Sequence, residues 1–138
     1  MHPAIRLTSA LVLALASAGA AQSQTSENVQ FAPGNFGTMV SGSITGQAYA
    51  DYTLRASAGQ EMFAEITVAE TDGSGTVYFN ILPPGSTGEA IYIGSMDVDN
   101  SETVPLLEDG VYTLRVYLMG NDADAGKTVS YTLDLSIQ

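Results

Sequence analysis

The stretch VYTLRVYLM, residues 111–119, alternates apolar and polar side chains and decides how the rest of the chain is interpreted. Its even-numbered positions are apolar: Tyr112, Leu114, Val116 and Leu118. Neighbouring side chains of an extended strand point to opposite faces, so this alternation predicts a strand with one buried face. Because the other face carries Thr113 and Arg115, we expect it to contact solvent.

Three other segments show the same alternation along the chain. They are AYADYTLRA (48–56), EMFAEITVAE (61–70) and SYTLDLSI (130–137). Turn signals separate them, such as DGSG at 72–75 and PPG at 83–85, because glycine tolerates tight turns and proline ends strands. The pattern predicts an all-β fold, an antiparallel two-sheet β-sandwich or flattened barrel of about eight strands, without helices.

The N-terminal residues predict export. Arg6 precedes an apolar run at 10–15, and small residues follow as far as Ala21, which is the organisation of a secretory signal peptide. This run is shorter than the roughly 20 apolar residues that a membrane span needs, so we expect no membrane anchor. The sequence therefore predicts a signal peptide at 1–21, a flexible lead-in at 22–28 and a single β-sandwich domain at 29–138.

The chain is strongly acidic. It contains 15 Asp and Glu residues against four Lys and Arg residues, for a net charge of −11, and every acidic residue follows the predicted signal peptide. Such a surface repels nucleic acid and attracts cationic partners. We therefore expect no nucleic-acid binding.

The residue types needed for most hydrolytic chemistry are missing. The single histidine, His2, lies in the predicted signal peptide, and the chain has no cysteine or tryptophan. This excludes Ser-His-Asp and Cys-His catalysis and histidine-ligated zinc. Paired carboxylates could still hydrolyse glycosides, but no tryptophan is available to line a sugar cleft. We predict a binding protein that is not an enzyme and uses no cofactor or metal.

A calcium loop is the one metal site that the sequence suggests. Four oxygen-bearing residues fall at the first, third, fifth and twelfth positions of an EF-hand count: Asp97, Asp99, Ser101 and Glu108. However, Glu102 stands where glycine is required, and the flanking segments are predicted strands rather than helices. Solvated acidic loops are the favoured interpretation, and a weak calcium site involving Asp122 and Asp124 is the alternative.

Arg115 is unusual as one of few basic residues, placed on the outward face of a predicted strand. It could form a cross-strand pair with Asp51 or Asp134, or it could contact a partner. Tyr49 and Tyr117 leave the same choice open between packing and a partner contact.

An ordered set of motifs between Val29 and Ile137 resembles a known family. The set comprises VQFAPGNFGTMVSGSITG (29–46), AYADYTLRASAGQ (48–60), YFNILPPGS (78–86), AIYIGS (90–95) and DGVYTLRVYLMGNDADAGKTVSYTLDL (109–135). Together they resemble the periplasmic inhibitors of g-type (goose-type) and i-type (invertebrate-type) lysozymes. Some of these motifs are shared with the broader pre-peptidase C-terminal-like β-sandwiches.

This resemblance implies a bacterial protein, periplasmic or secreted, whose loops plug the active-site cleft of a lysozyme. By carry-over, the candidate loops span 46–49, 95–101 and 119–127. The candidate partner-binding residues are Gln47, Tyr49, Ser95, Asp97, Ser101, Arg115, Tyr117, Gly120, Asn121, Asp122, Asp124 and Lys127.

The sequence departs from the g-type inhibitors at its candidate loops. Gln47 stands where those inhibitors have an aromatic residue, and Gly120 and Asp124 stand where they have arginines. Because an aspartate there repels lysozyme carboxylates, this departure argues against a g-type target and leaves an i-type lysozyme, an unfamiliar target or loss of inhibition open. The alternative function is a generic β-sandwich module that binds a glycan, calcium or a cell-surface partner. Exposed edge strands also make a homodimer a second hypothesis.

Overall fold

A computed structural model describes residues 24–138, so the predicted signal peptide lies outside the described residues. The strands are β1 (Gln24–Asn28), β2 (Gly37–Thr45), β3 (Tyr49–Ala56), β4 (Glu61–Thr71), β5 (Val77–Leu82), β6 (Tyr92–Ile93), β7 (Ser101–Pro105), β8 (Gly110–Leu118) and β9 (Thr128–Ile137). Within these residues, a 3₁₀ turn occupies Gly94–Met96, and a five-residue helix, α1, occupies Gly120–Asp124. Neither helical segment of residues 24–138 has the length and hydrophobicity that crossing a membrane requires.

The strands form two sheets that pack face to face. Sheet A has five strands in the order β1-β3-β8-β5-β6, and sheet B has four in the order β2-β9-β4-β7. Neighbouring strands are antiparallel, except that β1 runs parallel to β3. The prediction of a two-sheet β-sandwich is confirmed, and the sheets do not close into a barrel.

The alternation in β8 and β9 builds the core between the sheets. The inward row of β8 is buried: Tyr112, Leu114, Val116 and Leu118. The inward row of β9 faces it from the other sheet: Val129, Tyr131, Leu133, Leu135 and Ile137. Each fully buried leucine or valine contributes about 1.5–3 kcal/mol of hydrophobic stabilisation, so these two strands anchor the domain.

A pair of tyrosines joins the two sheets inside the core. The hydroxyl groups of Tyr52 on β3 and Tyr131 on β9 lie 2.7 Å apart and are buried, and their rings meet edge to face at 6.5 Å. Gly42 on β2 makes room for this pair, because a Cβ there would lie 2.5 Å and 2.7 Å from the two hydroxyl oxygens. The pair fixes the spacing between strands that belong to different sheets.

Two segments differ from the predictions made from sequence. The polar composition of residues 22–28 predicts a loose lead-in, but Gln24–Asn28 form strand β1. All five side chains of β1 are exposed, so the strand shows no apolar alternation, and its backbone pairs with β3 instead. The second difference is helix α1, which lies where the sequence predicts only a loop. Ala123 in this helix is buried in the core, which favours the helical turn.

Candidate functional site

Three loops meet at one end of the sandwich. They are the β2–β3 turn (46–48), the β4–β5 loop (72–76) and the β8–β9 loop (119–127), and we call them together the loop end. The Gly46 N–H donates to the carbonyl oxygen of Lys127 at 2.9 Å. On the other side, the Thr128 N–H donates to Oδ1 of Asp72 at 2.8 Å. The β8–β9 loop is therefore held by a neighbouring loop on each side.

Asp122 attaches the β4–β5 loop to the β8–β9 loop. It lies in α1 and is 1% exposed. Its Oδ1 accepts a hydrogen bond from the Ser74 N–H at 2.8 Å, and its Oδ2 accepts one from the Thr76 N–H at 2.9 Å. The Thr76 hydroxyl lies within hydrogen-bond distance of both Oδ2 (3.0 Å) and the Met119 carbonyl oxygen (2.9 Å).

These contacts favour the ionised form of Asp122. The backbone N–H groups of Ser74 and Thr76 stabilise the carboxylate, so they hold the pKa of Asp122 below its usual value. An ionised carboxylate whose two oxygens are occupied by internal donors has little capacity left for a partner. The geometry therefore gives Asp122 a role in positioning the loops.

The junction between these two loops is closely packed. A Cβ built on Gly73 would collide with Oδ1 of Asp122 and would lie 2.9 Å from Cγ of Lys127. Gly73, the first glycine of the DGSG turn, is therefore needed for the close approach of the two loops, and a side chain at this position would push them apart.

The tips of the loop end are exposed and polar. Gln47, Gly120, Asn121 and Asp124 all face solvent. The side-chain amide of Gln47 donates to Oδ1 of Asp124 at 3.3 Å, which links the β2–β3 turn to the β8–β9 loop. Gly120 has a φ of +64°, a left-handed conformation that an arginine adopts only with strain. The local backbone therefore favours glycine at this position.

An open pocket of about 320 Å³ lies beside the loop end. Its lining residues come from three parts of the chain: Ser74, Thr76, Tyr78, Ser95, Met119, Gly120, Asn121 and Asp122. The Gly94 N–H donates to Oδ1 of Asn80, a residue of β5, at 3.2 Å, and this hydrogen bond holds the adjacent Ser95 at the pocket. The pocket thus connects the start of the predicted 95–101 loop with the predicted 119–127 loop.

Arg115 lies on the outer face of sheet A and is paired with Asp51. Their side chains form two hydrogen bonds, from Nε to Oδ1 at 2.8 Å and from Nη2 to Oδ2 at 3.0 Å. The guanidinium also lies 4.5 Å from the centre of the Tyr49 ring. The hydrogen bond to Asp51 raises the pKa of Arg115 above its usual value. Of the two acids considered from the sequence, Asp51 is the partner, whereas Asp134 lies on β9 of the other sheet.

Tyr117 links this outer face to the pocket. Its hydroxyl donates to Oδ1 of Asn80 at 2.7 Å, and its ring lies 6.1 Å from that of Tyr78, which lines the pocket. Tyr117 also lies across from Tyr49 in the pairing of β3 with β8. Tyr78 and Tyr117 thus pack against each other, and Tyr49, Tyr78 and Tyr117 are each partly exposed.

The acidic residues of the proposed calcium count do not come together. Asp97 accepts hydrogen bonds from the Asp99 N–H and the Tyr92 hydroxyl, each at 3.2 Å. The Asp99 N–H lowers the pKa of Asp97. Ser101 begins β7 and pairs with Glu65 on β4, and β7 separates it from Glu108. Among residues 24–138, no group of three or more acidic side chains is arranged to hold a metal ion.

The structure therefore divides the predicted site residues into three groups. The loop end and its pocket contain Gln47, Ser95, Gly120, Asn121, Asp122, Asp124 and Lys127. The outer face of sheet A carries Tyr49, Arg115 and Tyr117. Asp97 and Ser101 belong to the segment that crosses from sheet A to sheet B. Sequence reasoning missed Ser74 and Thr76, and the only available signal was the DGSG turn that precedes Thr76.

Comparison with known proteins identifies the family. No family model matches the chain. The inhibitor of g-type lysozyme from Escherichia coli (strain K12) is 30% identical over 128 residues, which cover 93% of this chain and 92% of that protein. The chain belongs to the family of inhibitors of g-type lysozyme. A solved member of this family is Aeromonas hydrophila PliG, a periplasmic lysozyme inhibitor of g-type lysozyme. It is 36% identical with a TM-score of 0.74, over 83% of this chain and 97% of that one.

A more distant likeness concerns the fold alone. The pre-peptidase C-terminal domain of collagenase from Bacillus anthracis is 16% identical with a TM-score of 0.51, over 85% of this chain and 96% of that one. The sandwich of the lysozyme-inhibitor family is thus shared with a domain of a different kind of protein, and the family assignment depends on the first two comparisons.

Proposed function

We propose that this chain is an exported, periplasmic inhibitor of g-type lysozyme and that it blocks the enzyme's cleft with its loop end. The relatives that establish the family are inhibitors rather than enzymes. The observation that carries the proposal is the hydrogen bonding within the loop end. Asp122 joins the β4–β5 loop to the β8–β9 loop, and the Gly46 N–H joins the β2–β3 turn to the same loop. A projection that is ordered before binding loses little conformational entropy when it docks.

The exposed groups of the loop end suit a cleft that binds sugars. Gln47 and Asn121 offer amide donors and acceptors at the tips, and Met119 is 45% exposed beside them. Two further apolar side chains, Met96 at 81% and Val98 at 97% exposure, follow Ser95 in sequence. Hydrogen-bonding groups surrounded by exposed apolar side chains are the usual composition of a protein interface.

The charge of the chain favours encounter with a cationic enzyme. With a net charge of −11, the chain attracts positively charged proteins over a range of about 10 Å at moderate ionic strength. Such steering increases the association rate more than it increases the affinity. We therefore expect the association rate with a basic lysozyme to fall steeply as salt is added.

The proposal is tested by inhibition of cell-wall clearing. Purified chain, lacking residues 1–21, is titrated into g-type, i-type and c-type lysozymes acting on a bacterial cell-wall suspension. We expect inhibition of the g-type enzyme, with weaker or no inhibition of the other two. Absence of g-type inhibition at a large molar excess would contradict the proposal.

Asp124→Arg tests the place of contact. Glycoside hydrolysis depends on carboxyl groups in the enzyme cleft, and these groups repel the exposed carboxylate of Asp124. Replacing it with arginine exchanges repulsion for attraction, and we expect the inhibition constant for the g-type enzyme to fall about tenfold. The matched control is Glu89→Arg, which makes the same charge change on an exposed residue of the β5–β6 loop. Equal effects of the two variants would show that net charge alone is responsible and would refute contact at the loop end.

A further inference from the structure

Strand β2 has a long unpaired edge. It is a terminal strand of sheet B, and all nine of its residues pair with β9 on one side. Among residues 24–138, no strand pairs with the other side of β2. Within the same residues, the one backbone hydrogen bond on that side closes the β2–β3 turn, where the Ala48 N–H donates to the Thr45 carbonyl oxygen. The N–H and C=O groups of alternate residues on that side are therefore available to another strand.

The devices that usually protect such an edge are missing from β2. Its sequence, GTMVSGSIT, contains no charged residue and no proline. Its register with β9 runs without a shift, whereas β4 shows an irregularity between Val68 and Glu70. Soluble proteins commonly protect exposed edges with charges, prolines, bulges or very short strands.

The other edge strands do carry such protection. Strand β1 contains Glu27, β7 contains Glu102 and Pro105, and β6 has only two residues. In contrast, residues 28–50, which include β2, contain no Asp, Glu, Lys or Arg in a chain of net charge −11. Among the described edges, β2 is thus the long one along which two copies of this acidic chain can meet without repulsion between like charges.

Apolar side chains accompany this edge. Met39 is 63% exposed on the outer face of sheet B, and Phe36, just before the strand, is 67% exposed. Val40, on the inward face, is only partly buried against the core. An additional strand beside β2 would cover part of this apolar surface as well as satisfying the backbone groups.

We propose that two copies of this chain associate through their β2 strands, antiparallel and related by a two-fold axis. Pairing over the full length of Gly37–Thr45 places the axis at Ser41 and joins the two B sheets into one continuous sheet. Because the strands run in opposite directions, the two loop ends point away from each other. The dimer therefore presents both loop ends for binding at the same time.

The test uses two matched glutamate variants. Ser41→Glu places like charges beside each other at the axis, whereas Thr103→Glu makes an equal change of charge on the exposed face of β7, the opposite edge strand of sheet B. Sedimentation velocity over a range of concentrations should show a dimer for the unmodified chain and for Thr103→Glu. For Ser41→Glu we expect the dimer dissociation constant to rise about tenfold or more.

A cysteine variant tests the geometry directly, because the chain has no cysteine of its own. Facing residues of antiparallel strands lie about 4.5–5.5 Å apart at Cα, which a disulfide can span. Under oxidising conditions, Ser41→Cys should form a covalent dimer, and Thr103→Cys should not. A monomer at every concentration, equal behaviour of the two glutamate variants, or equal crosslinking of the two cysteine variants would overturn the proposal. Because Ser41 is remote from the loop end, lysozyme inhibition by the Ser41→Glu monomer reports separately on the proposed function.

Discussion

Removing one hydroxyl from the buried tyrosine pair should destabilise the domain more than removing both. Tyr52 and Tyr131 are 4% and 1% exposed, and among the described residues each hydroxyl hydrogen bonds only to the other. Replacing one of them with phenylalanine leaves the remaining hydroxyl buried without a partner, which costs about 1–3 kcal/mol. For a domain of this size, that loss lowers the melting temperature by roughly 4–12 °C. Tyr52→Phe should be the more costly single change, because it leaves the hydroxyl of the more deeply buried tyrosine, Tyr131, unpaired.

The double variant, Tyr52→Phe with Tyr131→Phe, removes donor and acceptor together and keeps both rings. Replacing both partners of a buried hydrogen bond with apolar groups of the same shape can be nearly neutral. We therefore expect the double variant to lose no more free energy of unfolding than either single variant. Urea unfolding of the four proteins gives the coupling energy through a double-mutant cycle. If the losses of the single variants simply add, the two hydroxyls are not mutual partners and the reasoning fails.

Gly42 provides a second check on the same cluster. A Cβ at this position would lie 2.5 Å from the Tyr131 hydroxyl and 2.7 Å from the Tyr52 hydroxyl. Gly42→Ala should therefore destabilise the unmodified domain. The loss should be smaller in the double phenylalanine background, where both oxygens are gone. An equal loss in the two backgrounds would place the strain elsewhere, for example against the ring of Tyr131.

Three further predictions concern the loop end and the outer face of sheet A. Because the pKa of Asp122 is lowered in the folded state, the ionised carboxylate stabilises the fold at neutral pH, and this stabilisation is lost as the pH falls through the lowered pKa. Asp122→Asn should therefore be less stable than the unmodified chain at pH 7 and approach its stability in acid, as measured by thermal unfolding across pH. Gly73→Ala should weaken lysozyme inhibition by pushing the Asp122 carboxylate away, while hydrogen exchange of the core strands stays unchanged; unchanged inhibition would argue against the need for a rigid loop end. Arg115→Lys should lose the paired hydrogen bonds to Asp51 and reduce the free energy of unfolding by about 1 kcal/mol or less, while lysozyme inhibition stays unchanged. A large loss of inhibition would indicate that Arg115 contacts the lysozyme.

The sandwich was predictable because apolar and polar residues alternate along its core strands, with the apolar residues on the buried face. The alternation in β8 and β9 states which side chains are buried, and the structure places those residues between the sheets. The sequence suggests Asp51 and Asp134 as cross-strand partners of Arg115, and the register of β3 with β8 selects Asp51. A choice between acids on different sheets requires the order of the strands, which alternation does not specify.

The site was less predictable, because its residues have similar composition but different environments. Asp122 and Asp124 lie two positions apart in the same acidic loop, yet the turn of α1 buries the first and exposes the second. Likewise, β1 is polar at every position and forms through backbone pairing alone. Neither outcome leaves a periodic signal, since each depends on segments that are distant in sequence.

The position of β9 has a consequence for how the chain reaches its folded state. The last strand lies in the middle of sheet B, between β2 and β4, so neither of those strands has its main partner until residues 128–137 are available. A chain that crosses a membrane from its N-terminus could therefore complete this sheet only after residues 128–137 have emerged. Such reliance on contacts between distant segments slows folding, which would keep the polypeptide unfolded during the export proposed above.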